Sequence, residues 1–284
     1  MNVPGQWQKK VTVWRKISLN TWTTPDNATI YGLLDVDIGD LQDYLKEKSE
    51  KTGVKCTITH AVTRSLAILL RRYPDCNVLV RRRKIWLRRD VDIFHQVAIP
   101  VKGEKAKADL GGATIRKADT KQIDEIASEL RERAEKVRAK KDGQMAKTRK
   151  TMLSLPTFLL KWVLKLIGWL QYTLNFKVPT VPRDSFGSAM VTAVGMFGIK
   201  LAYAPLVTFS RVPIILLVGA IEDRPVVRDG QVVIRPMCSM TATLDHRIID
   251  GFQAGRLAGE LKILLEKPEL LDKEPQDLDA SLAK

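Results

Sequence analysis

The spacing of apolar positions changes several times along the chain, and each change marks an element. Leu33-Leu34-Asp35-Val36-Asp37-Ile38 reads as a strand. Asp40 is then expected to cap a short helix that runs to about Lys51 and closes at Gly53. A second helix opens at Thr59, keeps Ala61, Val62, Leu66, Leu69, Leu70 and Tyr73 at helical spacing, and stops at Pro74. Its apolar surface is wide enough to predict burial. Val78-Leu79-Val80 and Ile85-Trp86-Leu87 predict a hairpin whose turn, Arg81-Arg82-Arg83-Lys84, is wholly basic. Val91 to Val101 predicts another strand, and Gly103 to Gly112 a polar loop. Asp119 and Gln122 start a long helix to about Lys141, with Ile123, Ile126, Ala127, Leu130, Ala134 and Val137 as its stripe.

The last third returns to strands. Ser188 to Val194 predicts a strand that ends in the turn Gly195-Met196-Phe197-Gly198. Ile214 to Ile221 is apolar throughout, as a strand covered on both faces would be. Val226 to Ile234 predicts a hairpin on Asp229-Gly230, and Met237 to Leu244 stays extended. Ala254, Leu257, Ala258, Leu261, Leu264 and Leu265 mark a helix that ends before Pro268. Residues 272–284 predict a polar, frayed tail. Strands alternating with helices place the chain in the α/β class. One domain over residues 1–271 is long enough to bury such a core.

The segment at about 151–184 interrupts this alternation and is expected to be an insertion. From Thr157 to Thr173 it is strongly apolar, with Trp162 and Trp169. Lys161 and Lys165 line up with Thr157 and Gly168, opposite Phe158, Leu159, Trp162, Val163, Leu166, Trp169 and Leu170. The run is too short and too charged to predict a membrane span. It predicts instead an amphipathic helix lying in the headgroup region of an anionic membrane, across about 151–178. Packing against the domain or a second subunit is the other reading.

The net charge of +15 adds to that picture, because it calls for an acidic partner. Cys56, Cys76 and Cys238 are odd in number and widely spaced, which argues against a disulfide framework or a metal site and for a reducing compartment. With no apolar leader near the N-terminus, the expected location is cytoplasmic, at the inner face of a membrane. No nucleic-acid motif accompanies the basic residues, so no nucleic-acid partner is expected.

The densest chemistry lies in Thr243 to Arg256, TLDHRIIDGFQAGR. His246 stands where a strand gives way to a helix, flanked by Asp245 and Asp250. An imidazole held by carboxylates at such a junction is built like a general base. Asp245 to Gly251 resembles the DHRxxDG signature of the acyltransferase component of 2-oxoacid dehydrogenase complexes, which shares the fold of chloramphenicol acetyltransferase. Gly187 to Ile199, GSAMVTAVGMFGI, is similar to that family's GTFTISNLGMFGI stretch. Val218 to Ile221, Arg224 to Val227 and the Asp229-Gly230 turn follow in the family's order.

The resemblance implies a chloramphenicol-acetyltransferase-like, CoA-dependent acyltransferase fold, an α+β sandwich with a mixed sheet and flanking helices, and a role for each matching residue. His246 would take the proton from the acyl acceptor, Thr192 would steady the oxyanion in place of the family's serine, and Asp250 would hold the loop through an arginine. Coenzyme A, as acyl-CoA, would be the acyl donor, with no metal and no lipoyl group on this chain. The acceptor, a hydroxyl, thiol or amine, is not identified. A homotrimer is implied, with its sites between subunits. No lipoyl domain precedes the matching region, which predicts an enzyme acting alone. Ala193 replaces the family's usual asparagine, and Phe252 its usual small residue. The alternative is a trimer that keeps the fold as a scaffold without chemistry.

Overall fold

A computed structural model describes residues 3–7, 28–100, 108–139, 156–179, 181–207 and 210–278. The expectations for 101–107, for the basic residues from 140 to 155 and for 279–284 lie outside the described residues. In chain order the elements are β1 (Gly5–Trp7), β2 (Thr29–Asp37), α1 (Gly39–Thr52), α2 (Ile58–Arg72), β3 (Val78–Arg81), β4 (Lys84–Arg88), β5 (Ile93–Pro100) and β6 (Ala108–Ile115). There follow α3 (Ile123–Arg138), α4 (Thr157–Gly168), β7 (Ala189–Ala193), β8 (Ile214–Arg228), β9 (Gln231–Asp245) and α5 (Gly251–Glu266).

Six strands form the main sheet in the order β2-β9-β8-β7-β5-β6. β7 runs parallel to both neighbours, and the other pairs are antiparallel. The sheet is therefore mixed, with helices on one face, as an α+β sandwich requires. Alternation decides which side chain meets which layer. Ile93, Val191, Ile214, Leu216, Met240 and Leu244 join the helix-side core, whereas Phe94, Met190 and Ile215 pack on the opposite face with Val212, Leu206 and Val207. Among the described residues, that second face is covered in part. Ala202 is tied to it by the Thr241 hydroxyl, and Tyr203 meets Tyr31 edge to face.

Several boundaries differ from the sequence reading, each for a local reason. α1 starts after Ile38, and Asp40 lies in its first turn, paired with Arg235 at 2.9 Å. α2 starts at Ile58 because Thr57 and His60 form the capping box, with His60 Nδ1 accepting from the Thr57 amide at 3.1 Å. Histidine in the glutamate position hid this start. Asp119 sits in a separate 3-10 turn, and Gln122 with Glu125 caps α3. Residues 108–112 form part of β6 rather than a loop. Gly111 and Gly112 are needed there because side chains at these positions would strike Val137 and the Phe94 ring. Glycines chosen for close packing read as loop.

The tail is also docked further than expected. Leu271 and Leu278 are fully buried, and 3-10 turns span Pro268–Asp272 and Pro275–Leu278. Buried Arg64 on α2 holds this stretch, donating to the carbonyls of Leu271 and Lys273 at 3.2 and 2.9 Å and to that of Asp119 at 2.7 Å.

Buried His95 on β5 makes stability depend on pH. Its Nε2 lies 3.3 Å from the Thr63 hydroxyl. Burial, and then the neighbouring His60, push its pKa down to about 3 from 6.5. A depressed histidine value means the fold favours the neutral ring. The contribution is therefore complete above pH 6.5 and is lost as pH falls from 6.5 towards 3. The melting temperature is expected to drop across that window, and His95→Leu to flatten the slope. An equally steep slope in the variant would assign the acid sensitivity to other groups.

Candidate active site

His246 is set by the way β9 hands over to α5. The carboxylate of Asp245, the last strand residue, forms a buried pair with Arg247, whose Nε lies 2.8 Å from Oδ1. The Asp245 carbonyl accepts from the amides of Ile248 and Ile249, both at 3.0 Å. Ile248 and Ile249 are themselves buried. Asp250 then caps α5, accepting from the amides of Phe252 and Gln253 at 3.0 and 3.3 Å, while its own amide donates to Gln253 Oε1 at 3.1 Å. Strand end, buried isoleucines and helix cap together fix a six-residue bend whose polar apex is His246.

The ring has a defined orientation. His246 Nδ1 lies 3.0 Å from the Ile249 carbonyl oxygen. A carbonyl can only accept, so Nδ1 carries the proton and the lone pair belongs to Nε2. The orienting partner described is a backbone carbonyl. Arg247 pairs with Asp245, and the hydrogen bonds described for Asp250 go to the helix amides.

Thr192 lies half-buried on β7, its hydroxyl 3.5 Å from Oε1 of Gln96 on β5. Just beyond, Gly195–Phe197 makes a 3-10 turn that ends at Gly198 in the left-handed conformation. A side chain on Gly195 would strike the Gly219 carbonyl at the irregularity in β8, so only glycine lets this turn seat there. The sequence reading did not find Gln96, the Ile249 carbonyl or the Asp245–Arg247 pair. Alternation on β5 places Gln96 beside Thr192, but that pairing is set by the sheet.

Thr192 and His246 do not meet within one chain. Thr192 pairs with Leu217, and Leu217 with Thr241, so His246, one residue beyond the end of β9, lies two strands across and five residues further along the chain. At about 4.8 Å per strand and 3.3 Å per residue, the separation is roughly 19 Å. Large apolar side chains are exposed near each point and further along the sheet. Met196, just past β7, and Phe252, in the first turn of α5, are each 75% exposed. At the far end of β8 and β9, Val227, Val232 and Ile234 are 72–74% exposed.

The family of 2-oxoacid dehydrogenases acyltransferase (catalytic domain) matches residues 10–152 and 184–272. The dihydrolipoyllysine-residue acetyltransferase component of the pyruvate dehydrogenase complex of Staphylococcus epidermidis is 26% identical over 257 residues, covering 90% of this chain and 49% of that protein. The chain thus spans about half the length of the curated relatives it matches. Among solved structures, the cubic core of the pyruvate dehydrogenase multienzyme complex is 22% identical with a TM-score of 0.65, over 93% of each chain. A dihydrolipoamide acetyltransferase of Azotobacter vinelandii gives the same values. There a serine, a histidine and an asparagine four residues after the histidine have been studied for their role in the catalytic mechanism. A probable dihydrolipoamide acetyltransferase of Listeria monocytogenes has a TM-score of 0.61 at 22% identity, over 93% of this chain and 95% of that one. By the extent of the family match, joined to the DHRIIDG bend and the mixed sheet beneath it, this chain belongs to the 2-oxoacid dehydrogenase acyltransferase catalytic-domain family.

Proposed function

We propose that this chain transfers an acyl group from coenzyme A to a hydroxyl, thiol or amine acceptor, and that it does so between copies of itself. The observation that carries this reading is the placement of His246. Its ring is oriented by the Ile249 carbonyl, yet it lies roughly 19 Å from the same chain's Thr192 by strand geometry. A second copy that brings its Thr192 to this His246 completes the pair. A homotrimer closes such head-to-tail contacts in a ring, and the exposed apolar hairpin of β8 and β9 offers surface for them.

In that site Nε2 of His246 removes the acceptor's proton as the acceptor attacks the thioester carbonyl. The oxyanion accepts a hydrogen bond from the partner's threonine hydroxyl. On collapse the carbon–sulfur bond breaks, and the imidazolium returns the proton to the thiolate of coenzyme A. Charge is conserved, and no acyl-enzyme forms. Threonine keeps the family's hydroxyl but adds a methyl that stiffens its torsion. Asp250 supports the histidine by capping the next helix. Phe252, exposed beside the histidine bend, would line the acceptor or acyl pocket. We place the enzyme in the cytoplasm.

Complementation between two inactive variants tests the shared site. His246→Ala and Thr192→Val protomers, each inactive alone, are mixed by co-expression. Statistical mixing into closed trimers would restore about a quarter of the sites, because each mixed ring regains one intact pair. Activity that stays at the level of the separate variants would refute a site built by two chains. Coenzyme A binding, with no transfer by the wild type to any acceptor class, would favour the scaffold.

A further inference from the structure

The segment that the family match passes over, 153–183, is not loosely attached. Its C-terminal half is fixed to the body. Tyr172 is buried with Val3, Leu79 and Trp86. Asn175 holds both backbone groups of Val3, at 2.5 and 3.0 Å. Arg211 donates to the Thr173 hydroxyl at 2.6 Å, and Asp184 pairs with Arg88 in the interior. α4 leads into this mount through a π-helical turn over Trp169–Thr173. The buried side of the turn is Gly168, Gln171 and Tyr172, so Gly168 faces the body rather than solvent. The stripe expected to be apolar points outward. Leu159, Trp162, Leu166 and Trp169 are 41%, 66%, 55% and 48% exposed, and Phe176 beyond them is 61% exposed. Side chains 157, 158, 160 and 161 lie outside the described residues.

A second, basic element stands beside this stripe. Arg81 on β3 donates to the Thr173 carbonyl at 3.2 Å and stacks on Trp86 and Trp7, with its guanidinium 4.8 and 5.4 Å from the ring centres. These contacts set the exposed hairpin tip Arg82-Arg83-Lys84 next to the end of the helix. Lys165 lies 5.4 Å from the Trp162 ring on the stripe itself.

We propose that α4 and the β3–β4 hairpin tip form one docking face for an anionic lipid bilayer. The helix would lie in the headgroup region, its tryptophans and leucines entering the acyl boundary and the hairpin cations meeting lipid phosphates. Charge selects this occupant. A second copy of a chain carrying +15 would set cation against cation at the tip, whereas an anionic surface attracts both elements. Aliphatic Leu159 and Leu166 suit hydrocarbon and have no counterpart on a nucleic acid. None of the described helices is long and apolar enough to cross the membrane, which fits a helix lying in its surface. This inference is independent of the acyl-transfer reading.

The test is sedimentation of the full chain with vesicles of equimolar phosphatidylcholine and phosphatidylglycerol, and with phosphatidylcholine alone. Two variants keep the fold. Trp162→Ser with Trp169→Ser changes exposed side chains. Arg82→Asn with Arg83→Gly suits the positive φ of 47° and 59° at those positions and removes both charges. Wild type is expected to pellet with anionic vesicles and to release as salt rises. The hairpin variant is expected to bind about thirty-fold more weakly, at roughly five-fold per lost charge. The tryptophan variant is expected to lose binding while its oligomeric state and coenzyme A binding stay unchanged. Failure of wild type to bind, or undiminished binding by both variants, would overturn the proposal. So would a tryptophan variant that dissociates into smaller species, since the stripe would then be a contact between copies.

Discussion

Replacing His246 with alanine is expected to lower acyl transfer by about 10²–10⁴, the usual contribution of a positioned base. The fold should survive, because the ring's described contact is local, to the Ile249 carbonyl, and the bend is held by Asp245, Arg247, Asp250 and two buried isoleucines. Turnover with acyl-CoA and coenzyme A affinity should be measured together. A drop in kcat at unchanged affinity identifies a group that acts on the acceptor's proton. A variant with normal turnover would remove His246 from the chemistry.

The largest effect on stability is expected at Arg64, not at the active site. The side chain is fully buried on α2 and supplies three hydrogen bonds to backbone carbonyls from two distant parts of the chain. Burial lowers its pKa, but the nearby carboxylates Glu274, Asp119 and Asp272 oppose that shift and favour the cation. Arg64→Ala leaves those carbonyls unsatisfied and opens a cavity. We expect a loss of roughly 3–5 kcal/mol, or about 10 °C in melting temperature at roughly 2–4 °C per kcal/mol for a domain of this size. Arg64→Lys should recover little, because one ammonium cannot reproduce the planar fork. Thermal unfolding of the two variants decides this. A change below about 1 kcal/mol would mean that 268–278 contributes little to the fold.

Arg64 also shows where sequence reading stops. The helix around it is legible because Ala61, Val62, Leu66, Leu69 and Leu70 keep the 3.6-residue period. An arginine in that run reads as solvent-facing, because the groups that pay for its burial lie 55 to 209 residues away. The tail was misread for the same reason: a charged composition predicts fraying, but Pro275 and Leu278 are the residues that dock. β6 was missed because its glycines are there for neighbours on α3 and β5.

The chain by itself determined the strand and helix alternation, the Asp229-Gly230 hairpin and the histidine bend at the end of the last strand. These depend on neighbours close in sequence, whose spacing sets the backbone period and caps. Only the tertiary structure decided which atom orients His246, that Gln96 stands beside Thr192, that strand order sets Thr192 and His246 two strands apart, and that the Trp162–Trp169 stripe faces outward. Each of these follows from strand order and from burial against distant residues, and the periodicity of a single segment carries no information about either.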